Sequence, residues 1–147
     1  MTAIPLIDLR DLLRRTVADG YGDLVTRRTG AAVRDAIERV LADGGAVPTL
    51  IDFSDVRLLD LSCADEIVAK LLLHHGARRF VIRGLSPGQR DALEPVLEHH
   101  GLAVVIQNAS GGLDLLGIPG DTAHAVLEEL RAVLVLDRGG GSQPLPA

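Results

Sequence analysis

Residues 50–70 read LIDFSDVRLLDLSCADEIVAK, and this stretch decides the fold. It opens inside TLIDF (49–53), a short and nearly continuous apolar run of the kind buried on both faces of a parallel sheet. A second extended run, VRLLD (56–60), follows. Ser62 then opens a helix over 62–75 that carries Ala64, Ile67, Val68, Leu71 and Leu72 on one stripe. The spacing from Ser62 to Asp65 is that of a capping box, so the Ser62 hydroxyl is expected to accept from the N–H groups of the first turn.

Working outward, the same alternation recurs. RFVIR (79–83) and LAVVI (102–106) are further strand candidates, and a helix over 87–100 with Leu93, Val96 and Leu97 on one face lies between them. Ser86-Pro87-Gly88-Gln89 supplies this helix with a capping box and a proline at its first position, while Pro95 predicts a kink or a two-piece helix. Strand, helix, strand, helix, strand in one sheet implies right-handed crossovers. Upstream, a helix over 30–43 sets Val33, Ala36, Ile37, Val40 and Leu41 against Arg34, Asp35, Glu38 and Arg39, and Gly44-Gly45 ends it. Ile4–Leu9 and Leu24–Thr26 read as short extended pieces flanking a polar, glycine-bearing connection, within which 10–17 is a helix candidate. A last helix over 121–135 is capped by Asp121 and buries Val126, Leu127, Leu130 and Leu134. GGGSQPLPA (139–147) has linker composition and is expected to be disordered, leaving one domain over 1–138.

Composition narrows the function. A chain of 147 residues, 47% hydrophobic and 24% charged, is one globular domain's worth. Aromatics at 2% and a formal net charge of −5 supply neither stacking platforms nor phosphate neutralisation, so no nucleic-acid partner is expected. Lys70 is the only lysine, and neither a GxxxxGK[ST] loop nor a GxGxxG fingerprint occurs. With a single cysteine, acidic charge in MTAIPLIDLRD (1–11) at Asp8 and Asp11, and no apolar run of about 18 residues, a cytoplasmic protein without a membrane span is expected. No GxSxG, CxxC or HExxH appears, so the expectation is a non-enzyme with neither cofactor nor metal. His74-His75 and His99-His100 each precede a glycine in a last helical turn, where imidazole complements exposed carbonyls better than it holds a metal. Asp52, Asp55, Asp60 and Asp65 would suit a magnesium pocket of a phospho-receiver domain, but the later strands end at Arg83 and Gln107 where such a pocket wants a lysine. Cys63 lies at a helix start, which lowers a thiol's pKa, although a small packed residue is the plainer reading.

The helix start at Ser62 carries the functional hypothesis. Free N–H groups and the positive end of the helix dipole tolerate a phosphate there, so Ser62 is both a cap and a phospho-acceptor candidate. Nearly two added negative charges beside Asp60 and Asp65 would repel a partner docked on that surface.

VTRRTGAAVRDAIERVL (25–41) and TLIDFSDVRLLDLSCADEIVAKLL (49–72) resemble the STAS domain family, the anti-sigma-factor antagonists and their relatives, over residues 24–106. The resemblance implies an α/β fold, a mostly parallel β-sheet with helices packed on one face. It places the family's aspartate at Asp60 and its phosphorylatable serine at Ser62, while Leu61 stands where the family has a first serine and Cys63 where it has a glycine. It also implies a regulatory protein-binding domain whose partner is an anti-sigma factor or a serine kinase of the histidine-kinase ATPase superfamily, with homodimerisation left open. The implied docking surface comprises Arg27, Arg28 and Thr29 ahead of the first amphipathic helix, together with Asp60, Leu61, Ser62, Cys63, Asp65 and Glu66. Leu61 and Cys63 also suit a second reading, a small-ligand sensor or scaffold of the same fold without phosphorylation.

Overall fold

Short apolar runs buried on both sides and amphipathic stretches between them build a layered α/β structure. The computed structural model describes residues 4–16, 23–24, 26–43 and 47–141. In chain order the first half runs β1 (Leu6–Asp8), α1 (Leu9–Thr16), β2 (Asp23–Leu24), α2 (Arg27–Asp43), β3 (Thr49–Asp52) and β4 (Leu58–Leu59). Then follow α3 (Leu61–Ala64), a π-helical turn (Asp65–Ala69) and α4 (Lys70–His75), which form one continuous helical rod. The second half is β5 (Phe80–Arg83), α5 (Pro87–His100), β6 (Ala103–Gln107), β7 (Leu113–Gly117) and α6 (Asp121–Gly141).

The main sheet has the order β1-β3-β5-β6-β7, parallel throughout except for the antiparallel edge pair β6 and β7. A separate parallel pair joins β2 to β4. The register sets Ile51 beside Ile7 on one side and Ile82 on the other. Successive strand residues point to opposite faces. Phe80, Ile82, Val104 and Ile106 therefore meet α1, α2, the rod and α5, whereas Val81 and Val105 meet α6. The expected α/β class with a mostly parallel sheet is what the molecule has, with α6 lying alone on the second face. Because both faces are covered, the strands read as continuous rather than alternating apolar runs.

Caps punctuate these elements much as the residue types dictate. Asp8 ends β1 and at once accepts from the N–H groups of Arg10 (3.1 Å) and Asp11 (3.2 Å) at the start of α1. Ser86 and Gln89 form the expected reciprocal box, at 3.1 and 2.9 Å, and Gln89 also donates from Nε2 to the Val56 carbonyl at 2.7 Å. Pro95 does not divide α5, which is a single helix from Pro87 to His100. Pro95 and Asp91, whose carbonyl loses its helical partner to the proline, both lie on the exposed side of the helix. The last helix buries Val126, Leu127, Leu130 and Leu134 and continues to Gly141, past the start of the glycine run; residues 142–147 lie outside the described residues, as do Gly44 and Gly45. Among the described residues no helix is long and apolar enough to cross a membrane.

The rod departs from the expected regular helix over 62–75. It begins at Leu61, and its second turn is π-wound, with Lys70 N–H reaching back to the Asp65 carbonyl. Glu66, Ile67, Val68 and Ala69 are all buried in succession, since α2, α5 and the sheet surround this part of the rod. No single stripe of a 3.6-residue helix buries four consecutive residues, and a widened turn is one way a chain accommodates them.

Candidate functional site

The start of the rod is organised by Asp60, not by Ser62. Asp60 sits in extended backbone at the N-cap, and its Oδ1 accepts from the Cys63 N–H at 2.8 Å and from the Ser62 hydroxyl at 2.9 Å. Its Oδ2 accepts from the Thr26 N–H at 3.0 Å. The capping role assigned to Ser62 is thus corrected: the helix opens one residue earlier, Ser62 is its second residue, and its hydroxyl donates backwards to the cap. Partial burial pushes the Asp60 pKa up, but the N–H groups of Cys63 and Thr26 and the Ser62 hydroxyl outweigh it and hold the carboxyl below its ordinary value. Asp60 is therefore an anion that fastens the start of α2 to the start of α3. Ser62 itself is half-buried.

Thr26 caps α2 in the same way. Thr29 N–H reaches Thr26 Oγ1 at 3.3 Å, so α2 opens at Arg27, three residues before the expected start at 30, and Arg27, Arg28 and Thr29 form its first turn rather than lying ahead of it. Thr26 holds a positive φ of 75°. The Asp60 carboxylate on its N–H and the Cys63 thiol, which donates to its carbonyl at 3.0 Å, keep it there.

Two residues expected on the docking surface are inside instead. Cys63 is 0% exposed. Burial, and after it the negative charge of Asp60, pushes its thiol pKa up to about 12, so the helix start does not activate it. Glu66 has a side chain only 4% exposed, gripped by Arg27 Nη1 and Arg34 Nη1, each at 2.5 Å, and by Lys70 Nζ at 2.7 Å. Burial raises its pKa, yet the three cations, led by Lys70, hold the carboxyl below its ordinary value. Glu66 clamps the π turn to α2, a role that also draws Arg34 out of the solvated face where amphipathic spacing had placed it. Gly30 permits this approach, because a Cβ there would come within 2.9 Å of Glu66 Cβ and 3.1 Å of Cys63 Cα.

What remains outward is compact. Leu61 is 56% exposed, the Arg27 side chain is 55% exposed, Arg28 is exposed and Thr29 half-buried. Asp65 is half-buried and accepts from Arg27 at 2.9 Å and from His100 Nε2 at 2.7 Å. Arg27, Leu61 and Asp65 line a groove of about 370 Å³ with Pro95, Val96, His99 and His100 of α5. That α5 rim was missed from sequence, where Val96 joined the buried stripe and the histidines were assigned to the last turn. The one available signal was the 95/96 to 99/100 spacing, which runs alongside the Leu93–Leu97 stripe.

The other polar clusters are accounted for locally. His74 Nδ1 and His75 Nε2 lie 3.1 and 2.9 Å from Glu38 Oε2, joining α4 to α2 rather than facing the last carbonyls. Asp52 is taken by Ser54 and Arg83, Asp60 by the cap and Asp65 by Arg27, so the sequence's aspartates do not converge. Among the described residues no group of three or more His, Cys, Asp or Glu is arranged to hold a metal ion. A comparison with known proteins found no matching family model, no matching curated protein and no matching solved structure.

Proposed function

We propose that this chain is a non-enzymatic regulatory binding domain of STAS type that acts as an anti-sigma-factor antagonist and is switched by phosphorylation of Ser62. The partner on this reading is an anti-sigma factor or serine kinase of the histidine-kinase ATPase superfamily. The observation that carries it is a half-buried serine at the second position of a helix, its hydroxyl 2.9 Å from an ionised aspartate and beside an exposed leucine.

The electrostatics favour a switch that works by repulsion. Unmodified, the Ser62 hydroxyl donates to the Asp60 carboxylate, and the surface is mixed: Arg27 and Arg28 offset Asp60 and Asp65 around the apolar Leu61. A phosphate on Ser62 would take away the hydroxyl proton that Asp60 accepts and put about −1.5 to −2 charges against that carboxylate. The helix dipole relieves this only in part, each charge gaining about 0.3–1 kcal/mol. An apolar contact at Leu61 and an ion pair at Arg27 would then compete with a dense negative patch.

The test is incubation with ATP and a candidate kinase of that superfamily, followed by mass spectrometry of the Ser62 peptide and calorimetric binding to the same partner. Phosphate is expected on Ser62, with Ser62→Ala binding like the native protein and Ser62→Asp weaker by about tenfold or more. No phosphate at Ser62, together with equal binding by both variants, defeats the switch.

A further inference from the structure

A second cleft, of about 840 Å³, opens at the carboxyl ends of β3, β5 and β6, in the size range of small-molecule pockets. Each strand delivers a polar residue to it: Asp52 at the end of β3, Arg83 at the end of β5, and Gln107 with Asn108 at the end of β6. At this end of the sheet each parallel strand passes into the loop that follows it, which gathers side chains from three strands in one place. Leu50 of the sheet and Leu134 of α6 add an apolar wall.

The charges in this cleft do not cancel. Asp52 is already engaged, its Oδ1 accepting from the Ser54 N–H at 2.9 Å and from the Ser54 hydroxyl, and its Oδ2 from Arg83 at 3.3 Å. Among the described residues that single long contact leaves other donors of the Arg83 guanidinium uncommitted. Arg90, one turn into α5, lines the same cleft; its backbone N–H donates to the Ser86 carbonyl at 3.0 Å, while its guanidinium makes no hydrogen bond or ion pair among the described residues. Gly84, at a φ of 75°, lets the chain after β5 cross directly over this arrangement, for a Cβ there would overlap Ser54 Oγ and Asp52 Oδ1. The Asp52–Ser54 turn thus abuts the start of the β5–α5 connection.

We infer that this cleft binds a small organic anion, with its carboxylate or phosphate head between Arg83 and Arg90 and its apolar body along Leu50 and Leu134. Guanidinium forks pair with either oxyanion. Asn108 lines the cleft beside the head group, and the apolar wall of Leu50 and Leu134 favours an occupant with an apolar body over a bare inorganic ion. Neither Ser62 nor Leu61 lines this cleft, so the inference stands or falls apart from the docking reading.

Titration of the ¹⁵N-labelled full chain with octanoate, octyl phosphate and octanol tests it. Saturable shifts are expected at the Gly84, Arg90 and Asn108 amides with one or both anions, which also tells carboxylate from phosphate. Octanol and the Arg90→Gln variant should each bind about tenfold more weakly, and Arg90→Lys should recover part of the loss. Melting curves of the variants alongside the native protein separate a lost contact from a lost fold. The inference is overturned if neither anion saturates, if octanol binds as well as the anions, or if folded Arg90→Gln binds them unchanged.

Discussion

Gly30 shows how much one missing methyl group decides. Its backbone lies against Cys63 and Glu66, and this closeness lets Arg27 and Arg34 reach a buried carboxylate from the neighbouring helix. Gly30→Ala ordinarily favours a helix, by about 1 kcal/mol. Here the added carbon would meet backbone and a Cβ that cannot swing away, and overpacking of that kind costs about 1–3 kcal/mol. The net expectation is destabilisation, read as a lower urea midpoint with an unchanged slope; a variant as stable as the native chain would show that the two helices separate freely. The glycine was plain in the sequence, but not its role, because its partners lie more than thirty residues away. The same holds for Asp60. Asp and Ser are both good caps, and which of two residues a turn selects depends on where the extended backbone ends, a choice made here by the Thr26 N–H across the molecule.

The rod made of α3, the π turn and α4 depends on ionised carboxylates at its first two turns. Asp60, Asp65 and Glu66 all titrate below their ordinary values in the folded chain. A group depressed in this way stabilises the fold above its unfolded pKa, about 3.9 for Asp and 4.3 for Glu, and the contribution fades as pH falls through the folded value. The melting temperature should therefore be insensitive to these groups from pH 7 to about 5 and fall below about pH 4. Glu66→Gln should lower the neutral-pH stability by about 1–3 kcal/mol and make the acid decline shallower, since the clamp no longer titrates. An acid limb as steep as the native one would exclude Glu66 from the stabilising set. At this scale the strand runs and the α5 cap could be read from local patterns. The π turn could not, because apolar periodicity reports one face and this segment is enclosed on several. β7 was missed for a related reason: LDLLG is leucine-rich between glycines, and only pairing with β6 makes it extended.

Across the whole molecule, the two faces of the sheet are unequally covered. One carries α1, α2, the rod and α5, while the other depends on α6, fastened by Val126, Leu127, Leu130 and Leu134, by the Arg78–Glu129 pair and by Arg131 donating to the Leu113 carbonyl. Leu130→Ala should cost about 2–5 kcal/mol, measured by chemical unfolding, if α6 is part of one cooperative structure. A smaller loss would mean that the helix detaches before the rest unfolds.

That asymmetry has a dynamic consequence. A helix held from one side is the natural first foldon, so α6 amides should exchange with solvent through an opening less costly than global unfolding. Each such excursion would bare Val81, Val105 and Leu113 together, a sticky strip that favours self-association at high concentration.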